Sequence, residues 1–294
     1  MRPDEWRPQW RACAPFRYQL AEGARWIDDR LLFVDLLEGA LYRCRGLPGA
    51  DPERLLQLDM PLGAAAPVAG TDGEWIVAAG AGIALTGPDG LTWLSRPGDR
   101  RNRSMRMNDG ACDPSGRFWA GSMEVQAATG AGSLYRTDPD GSVHEVLDNL
   151  SVPNGPAFSA DGRLMYLADS ARRAITRHTV DPVTGELGRP QLFAHFAQDE
   201  GRPDGLTVDD NGNLWVALWG AGRVLCYQPD GRPLHTVHVP TPHASSVAFG
   251  GGFMFVTTAL HRLERPGPLA GAVLAGSTGV TAPPARLFGP RRPA

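Results

Sequence analysis

DPSGRFWAGSM, residues 113–123, is a tight turn feeding a short apolar run that ends in small residues. Asp, Pro, Ser and Gly supply the turn, and Phe118 and Trp119 suit a pleated, half-buried surface. The same pattern recurs along the chain: DDRLLFVDLLEG from Asp28, TDGEWIVAAGAG from Thr71, SADGRLMYLADS from Ser159, DDNGNLWVALWG from Asp209 and FGGGFMFVTTA from Phe249. One apolar marker can be taken from each copy. In five copies it lies three residues after the turn glycine, at Ile76, Trp119, Met165, Trp215 and Phe255; Phe33 is its match in the first. The gaps are 43, 43, 46, 50 and 40 residues, the mark of a repeat architecture.

The repeating unit is not helical. It is rich in Gly, Pro and β-branched residues and lacks a sustained 3.6-residue period. Further hairpin signals follow several copies, as in SLYRTDPDGSVHEVL from Ser133, RVLCYQPDGRPLHTVHV from Arg223 and GIALTGPDGLTWLS from Gly82. With one strand before each marker, a unit has four. The expectation is an all-β chain, a six-bladed β-propeller of four-stranded antiparallel sheets, forming a single domain over residues 1–294.

Composition narrows the function. The net charge of -3 gives no reason to expect nucleic acid or an anionic membrane as partner. No apolar run approaches a membrane span, and the N-terminus lacks the apolar stretch of a signal peptide, so a cytoplasmic location is expected. Oligomeric state has no signature. Cys13, Cys44, Cys112 and Cys226 are far apart and read as buried small hydrophobes. All 29 basic residues are Arg, which excludes Schiff-base, pyridoxal and P-loop chemistry, each of which needs a Lys.

Counting back 11 residues from each marker gives Glu22, Ala65, Asn108, Asn154, Asp204 and Ala244. Four of these are carboxylate or carboxamide residues, each with a glycine one or two positions later. A lone Asn-Gly is usually a turn. Different polar residues at one shared repeat offset are not explained by turns alone. The first strand of each blade lines the channel, so these positions form a ring. Glu22, Asn154 and Asp204 offer hard oxygen ligands with two negative charges, suited to Ca²⁺, Mg²⁺ or Mn²⁺ and compatible with Zn²⁺.

These segments resemble the senescence marker protein (regucalcin)/gluconolactonase/luciferin-regenerating family. The likeness is carried by AEGARW with LLFVDLLEGALYR, RMNDGACDPSGRFWAGSM, SVPNGPAFSADGRLMYLADS, RPDGLTVDDNGNLWVALWGAGRV and, more weakly, GPLAGAVL, nearly the whole chain. The resemblance implies a six-bladed propeller with one divalent metal (Ca, Mn or Zn) at the channel mouth and hydrolysis of sugar lactones. It implies Glu22, Asn154 and Asp204 as metal ligands, Asp204 also as general acid/base, and Arg106 and Asn108 as the pair holding substrate hydroxyls. Three departures stand out. Where the family often has an acidic substrate-binding residue, Gln126 aligns, with Glu124 nearby. EGARW replaces a frequent EGPxW and puts Arg25 near the mouth. In the sixth blade Ala244 takes the ring offset with His243 beside it.

The expected chemistry is metal-assisted opening of an aldonolactone, with water activated by Asp204. His243 reads as a base, an outer-shell partner or a hydrogen-bonded loop residue. Asp109 reads as turning the chain, and Asp169 and Ser170 as lining the channel. Ser245 and Ser246 lack a G-x-S-x-G elbow, so no Ser/His/Asp triad is expected. Two alternatives remain open: an esterase or phosphotriesterase on the same scaffold, and a non-catalytic calcium-binding propeller module.

Overall fold

In the computed structural model, which describes residues 3–45, 51–88, 90–100 and 102–289, six sheets follow one another as the blades of a β-propeller. The innermost strands are Ala21–Ile27, Leu62–Pro67, Met105–Cys112, Pro153–Phe158, Arg202–Val208 and Ala244–Gly250, for blades 1 to 6 in order. Each marker sits on the strand that pairs with its inner strand and is at most 1% exposed.

The turn aspartates explain why these runs are so regular. Asp113 accepts hydrogen bonds from the backbone N–H groups of Ser115 (2.8 Å) and Arg117 (3.0 Å), and from the Trp119 indole at 3.1 Å. Asp209 repeats this with Asn211, Asn213 and the Trp215 indole at 2.9 Å. One carboxylate thus fixes the turn and the core aromatic six residues on. The QPDG and DPDG hairpins close as read, with Gly231 N–H donating to Gln228 O and Gly141 N–H to Asp138 O. In GPDG, Gly87 pairs with Gly90, while Asp89 lies outside the described residues.

A four-stranded sheet buries both faces only against neighbours. Six hydrophobic clusters do this, one at each blade–blade interface: Trp215 with Phe249 between blades 5 and 6, for example, and Trp119 with Met165 between blades 3 and 4. The sequence repeat did not disclose the closure. Arg11–Ala12 pairs with Leu274–Ser277 as the outer strand of blade 6, and Asp4–Trp6 adds a parallel fifth strand to blade 5 at Pro233–His238. These short strands carry no turn-and-aromatic signature. All four cysteines are buried and none forms a disulfide. Among the described residues no helix is long and apolar enough to cross a membrane.

Candidate active site at one end of the channel

Every inner strand breaks register with its neighbour near its start: between Glu22 and Arg25, Leu62 and Ala64, Met107 and Gly110, Asn154 and Ala157, Pro203 and Leu206, and Ala244 and Ser246. A bulge re-aims side chains that strict alternation would send into the sheet. Gly23 and Gly155 follow two of the polar positions at φ 60° and 85°, which side-chain-bearing residues rarely adopt. Glu22, Asn108, Asn154 and Asp204 are four of the polar residues at these bulges. All four line one cavity of about 570 Å³, together with Arg106, Gln126 and Ser170.

A hydrogen-bonded chain runs through three blades. Arg106 Nη1 donates to Asn108 Oδ1 at 2.7 Å and to Met107 O at 2.9 Å. Asn108 Nδ2 donates to Asn154 Oδ1 (3.1 Å) and to Pro153 O (2.7 Å). Asn154 Nδ2 donates to Ser170 Oγ at 2.8 Å, and Ser170 Oγ donates to Pro203 O at 2.5 Å. The last residue adjoins Asp204. Asn154 is thereby held at both ends of its amide, the nitrogen on Ser170 and the oxygen on Asn108, with one lone pair of the oxygen left over.

Glu22 and Asp204 are buried carboxylates with little to neutralise them. Burial pushes the Glu22 carboxyl well above the ordinary range, and the neighbouring charges of Asp204 and Asp109 add to this. Asp204 is raised by burial and by Asp109, with Arg106 opposing. Burial lowers the Arg106 guanidinium to about 10, against the pull of Glu22 and Asp204, so it stays cationic at neutral pH. Glu22 Oε2 is buried with no hydrogen-bond donor. Among the described residues no three His, Cys, Asp or Glu side chains form a metal-binding group. Two carboxylates with one orphaned oxygen, plus the Asn154 carboxamide, are a donor set that fits a hard divalent cation.

The expected residues fall into two groups. Glu22, Arg106, Asn108, Gln126, Asn154, Ser170 and Asp204 share the cavity wall, Gln126 as an exposed rim residue. The others lie elsewhere. Glu124 caps its own turn, its carboxylate accepting from Gln126 N–H (2.8 Å) and Ala128 N–H (3.2 Å). Asp169 accepts from Ser151 N–H and Val152 N–H. His243 stacks on Trp219 at 4.0 Å and donates from Nδ1 to His261 O at 3.0 Å, so its ring backs a wall residue and does not face the cavity. Ser245 and Ser246 are fully buried, bonded to Ala21 O and from Ala24 N–H.

Three expectations are corrected. Arg25 is not at this mouth. Its strand enters the cavity at Glu22 and reaches a second cavity at the other end, lined by Arg25, Ala65, Ser159 and Arg286, which shares no residue with the first. Ala65 is therefore off the ring level, because the bulge of blade 2 lies before it, at Gly63. Asp109 is not a turn residue. It is 2% exposed within its strand, accepting from Gly110 N–H (2.7 Å) and Gly155 N–H (2.8 Å), with Arg25 Nη2 at 3.5 Å. The bulge turns both Asn108 and Asp109 inward, which alternation alone forbids.

Arg202, Trp219, His261 and Arg262 also line the cavity. Arg202 was legible: it lies two residues before Asp204 on one strand. His261 and Arg262 occupy a connection outside the repeat and left no periodic signal.

Comparison with known proteins agrees with this architecture. The family model described as SMP-30/Gluconolactonase/LRE-like region matches residues 20–260. Pentonolactonase XacC of Haloferax volcanii is 34% identical over 259 residues, 82% of each chain. Regucalcin of Gallus gallus is 31% identical over 261 residues, 85% of this chain and 86% of its own. Among solved structures, a calcium-binding protein, regucalcin, from Agrobacterium tumefaciens superposes with a TM-score of 0.89 at 26% identity, covering 98% of this chain and 99% of its own.

Proposed function

Because the chain belongs to the SMP-30/gluconolactonase/LRE-like family, we propose that its cavity hydrolyses a sugar lactone to the open hydroxy acid. Relatives named as lactonases support an enzyme of this class. One observation carries the reading to this cavity: Glu22 and Asp204 are buried carboxylates on its wall, and Glu22 Oε2 has no donor. Such an arrangement is costly unless a cation completes it.

Glu22, Asn154 and Asp204 would hold one divalent cation (Ca, Mn or Zn). When bound, it supplies a Lewis acid that polarises the lactone carbonyl. Asp204 is the general base. A bound cation lowers the basicity of its carboxylate ligands, so Asp204 would act through an oxygen left free of the cation, receiving the proton of the attacking water. The water oxygen bonds to the carbonyl carbon, the ring C–O bond breaks, and the same carboxyl returns a proton to the departing ring oxygen. Arg106, fixed by Asn108 Oδ1 and Met107 O, presents its remaining donors to substrate oxygens. Asn108 orients Asn154, and Gln126 meets the distal hydroxyls from the rim.

The test is a panel of aldonolactones followed by acid release, with and without chelator. Turnover that chelation removes and Ca²⁺, Mn²⁺ or Zn²⁺ restores is expected. Folded protein inert toward every lactone with all three ions sinks the reading. An esterase or phosphotriesterase would reveal itself by preferring those substrates. The regucalcin neighbour is titled a calcium-binding protein, which favours a calcium-binding module as second reading. A module has no use for Arg106 on the same cavity wall as the carboxylates.

A further inference from the structure

Beyond the carboxylates and Arg106, the cavity carries positive charge that ring opening does not use. Its ionisable wall holds three arginines, Arg106, Arg202 and Arg262, against two carboxylates, with His261 beside them. A divalent cation on the carboxylates would leave all three arginines uncompensated. Arg106 is committed in part to Asn108 and Met107. Arg202 and Arg262 are exposed at the rim, and among the described residues neither makes a salt bridge or a side-chain hydrogen bond. Glu124, on the loop that carries Gln126, is turned onto its own backbone.

The arginines also feel one another. The charge of Arg262 pushes the Arg106 guanidinium and the His261 imidazole toward their neutral forms. With Glu22 and Asp204 engaged by a cation, like charges converging on one cavity destabilise each other until an anion enters. Arg262 is moreover held at φ 61°, a left-handed conformation uncommon for residues other than glycine, in a turn closed by Leu263 N–H donating to Leu260 O. The turn holds this residue at the rim.

Building on the lactonase reading, we infer that the substrate is an anionic lactone, one that carries a carboxylate or phosphate away from the reacting carbonyl, and that Arg202, Arg262 and His261 grip that group. A neutral aldonolactone would be recognised through hydroxyls and gain little from the two rim arginines. The carboxylate released by hydrolysis forms beside Asp204, deep in the cavity. The rim arginines are placed for a second anion, one already present in the substrate.

The experiment compares kcat/KM for three related lactones: neutral gluconolactone, glucarolactone with a terminal carboxylate, and 6-phosphogluconolactone. Both anionic lactones should exceed the neutral one by roughly tenfold, as charge-assisted hydrogen bonds allow. The larger of the two identifies carboxylate or phosphate as the anion read. The preference should shrink as salt is raised. Arg262→Gln and Arg202→Gln should lower kcat/KM for the anionic lactones several times more than for the neutral one. A neutral lactone hydrolysed as well as both anionic ones overturns the inference, as does an equal loss on all three in Arg262→Gln. Equilibrium binding of gluconate, glucarate and 6-phosphogluconate to the same protein separates the two readings. If no lactone is turned over, the lactonase reading falls. The inference then stands on tighter binding of glucarate and 6-phosphogluconate than of gluconate, and equal affinity for all three acids overturns it.

Discussion

Asn108 Nδ2 donates to Asn154 Oδ1 at 3.1 Å, joining the inner strands of blades 3 and 4 through their side chains. On its other side Asn154 Nδ2 donates to Ser170 Oγ, whose proton goes to Pro203 O. Direction is therefore fixed along the chain. Ser170 gives its proton to a carbonyl and can only accept from Asn154, so the amide cannot flip without losing both contacts. Ser170→Ala should free the amide and weaken divalent-cation binding about tenfold, the size of effect known for outer partners of metal ligands. Calorimetric titration with Ca²⁺ checks this, with thermal unfolding of the cation-free variant expected near wild type.

Cation binding itself should be visible in stability. With Glu22 and Asp204 buried near one another and Asp109 raising both, the cation-free protein holds like charges in a confined space. An ion that binds only the folded state stabilises it in proportion to its saturation, by about 2.7 kcal/mol at a hundredfold excess over Kd. Tm should rise on adding cation to chelated protein, and the rise should vanish in a Glu22→Gln, Asp204→Asn double variant. An equal rise in that variant would place the ion elsewhere.

Much of this molecule was open to reading in its sequence, and the reason is its repetition. The markers Trp119 and Trp215 announced themselves because the same turn aspartate anchors each, and the polar bulge positions followed by counting from them. Counting failed where local geometry departs from the repeat. Ala65 slipped off the ring because the bulge of blade 2 sits two residues before it, at Gly63. Asp109 was hidden because a bulge, not alternation, decides that it faces inward. Arg262 belongs to a connection whose length and path no periodicity constrains.

Asp109 should prove a structural keystone. Its carboxylate accepts from two backbone N–H groups, at Gly110 and Gly155, and faces Arg25, spanning blades 1, 3 and 4. Asp109→Leu leaves two buried N–H groups and a partly buried guanidinium unpaired, a loss of about 3–5 kcal/mol. Asp109→Asn keeps one acceptor and should cost less. Urea unfolding of the cation-free proteins gives the ranking, wild type above Asn above Leu. Equal stability of Leu and wild type would contradict it.

Acid should destabilise the fold through histidines remote from the carboxylates. Burial lowers the pKa of His178, which is 2% exposed, and likewise of His243 beneath Trp219. Each is neutral when folded and protonates more readily when unfolded, so the unfolded state binds more protons as pH drops. Stability is present above the unfolded value, about 6.5, and is lost as pH falls from there through the lowered folded values. The raised buried carboxyls Glu22 and Asp204 act in the opposite direction, so the histidine share shows as a difference: from pH 7 to pH 5 the Tm of wild type should fall relative to that of a His178→Gln variant. Parallel Tm profiles for the two proteins across that window would remove His178 from the acid response.

The repeated indole bonds give a last comparison. Trp119 and Trp215 each donate to a turn aspartate, at 3.1 and 2.9 Å, and each is at most 1% exposed. Replacing either with Phe removes the donor and part of the ring. Each aspartate keeps its backbone donors, so the turn should survive while one oxygen is left with a single donor, costing about 0.5–1.5 kcal/mol, with a further contribution from the space left behind. The two blades differ in one respect. Asp113 also has Arg117 Nη1 at 3.2 Å from Oδ2, the oxygen the indole uses, whereas Asp209 has Asn213 Nδ2 at 2.9 Å. A charged second donor compensates better than a neutral one. Trp215→Phe should therefore lower stability more than Trp119→Phe in parallel denaturation curves. The reverse order would mean that ring packing, not the shared carboxylate, sets the cost.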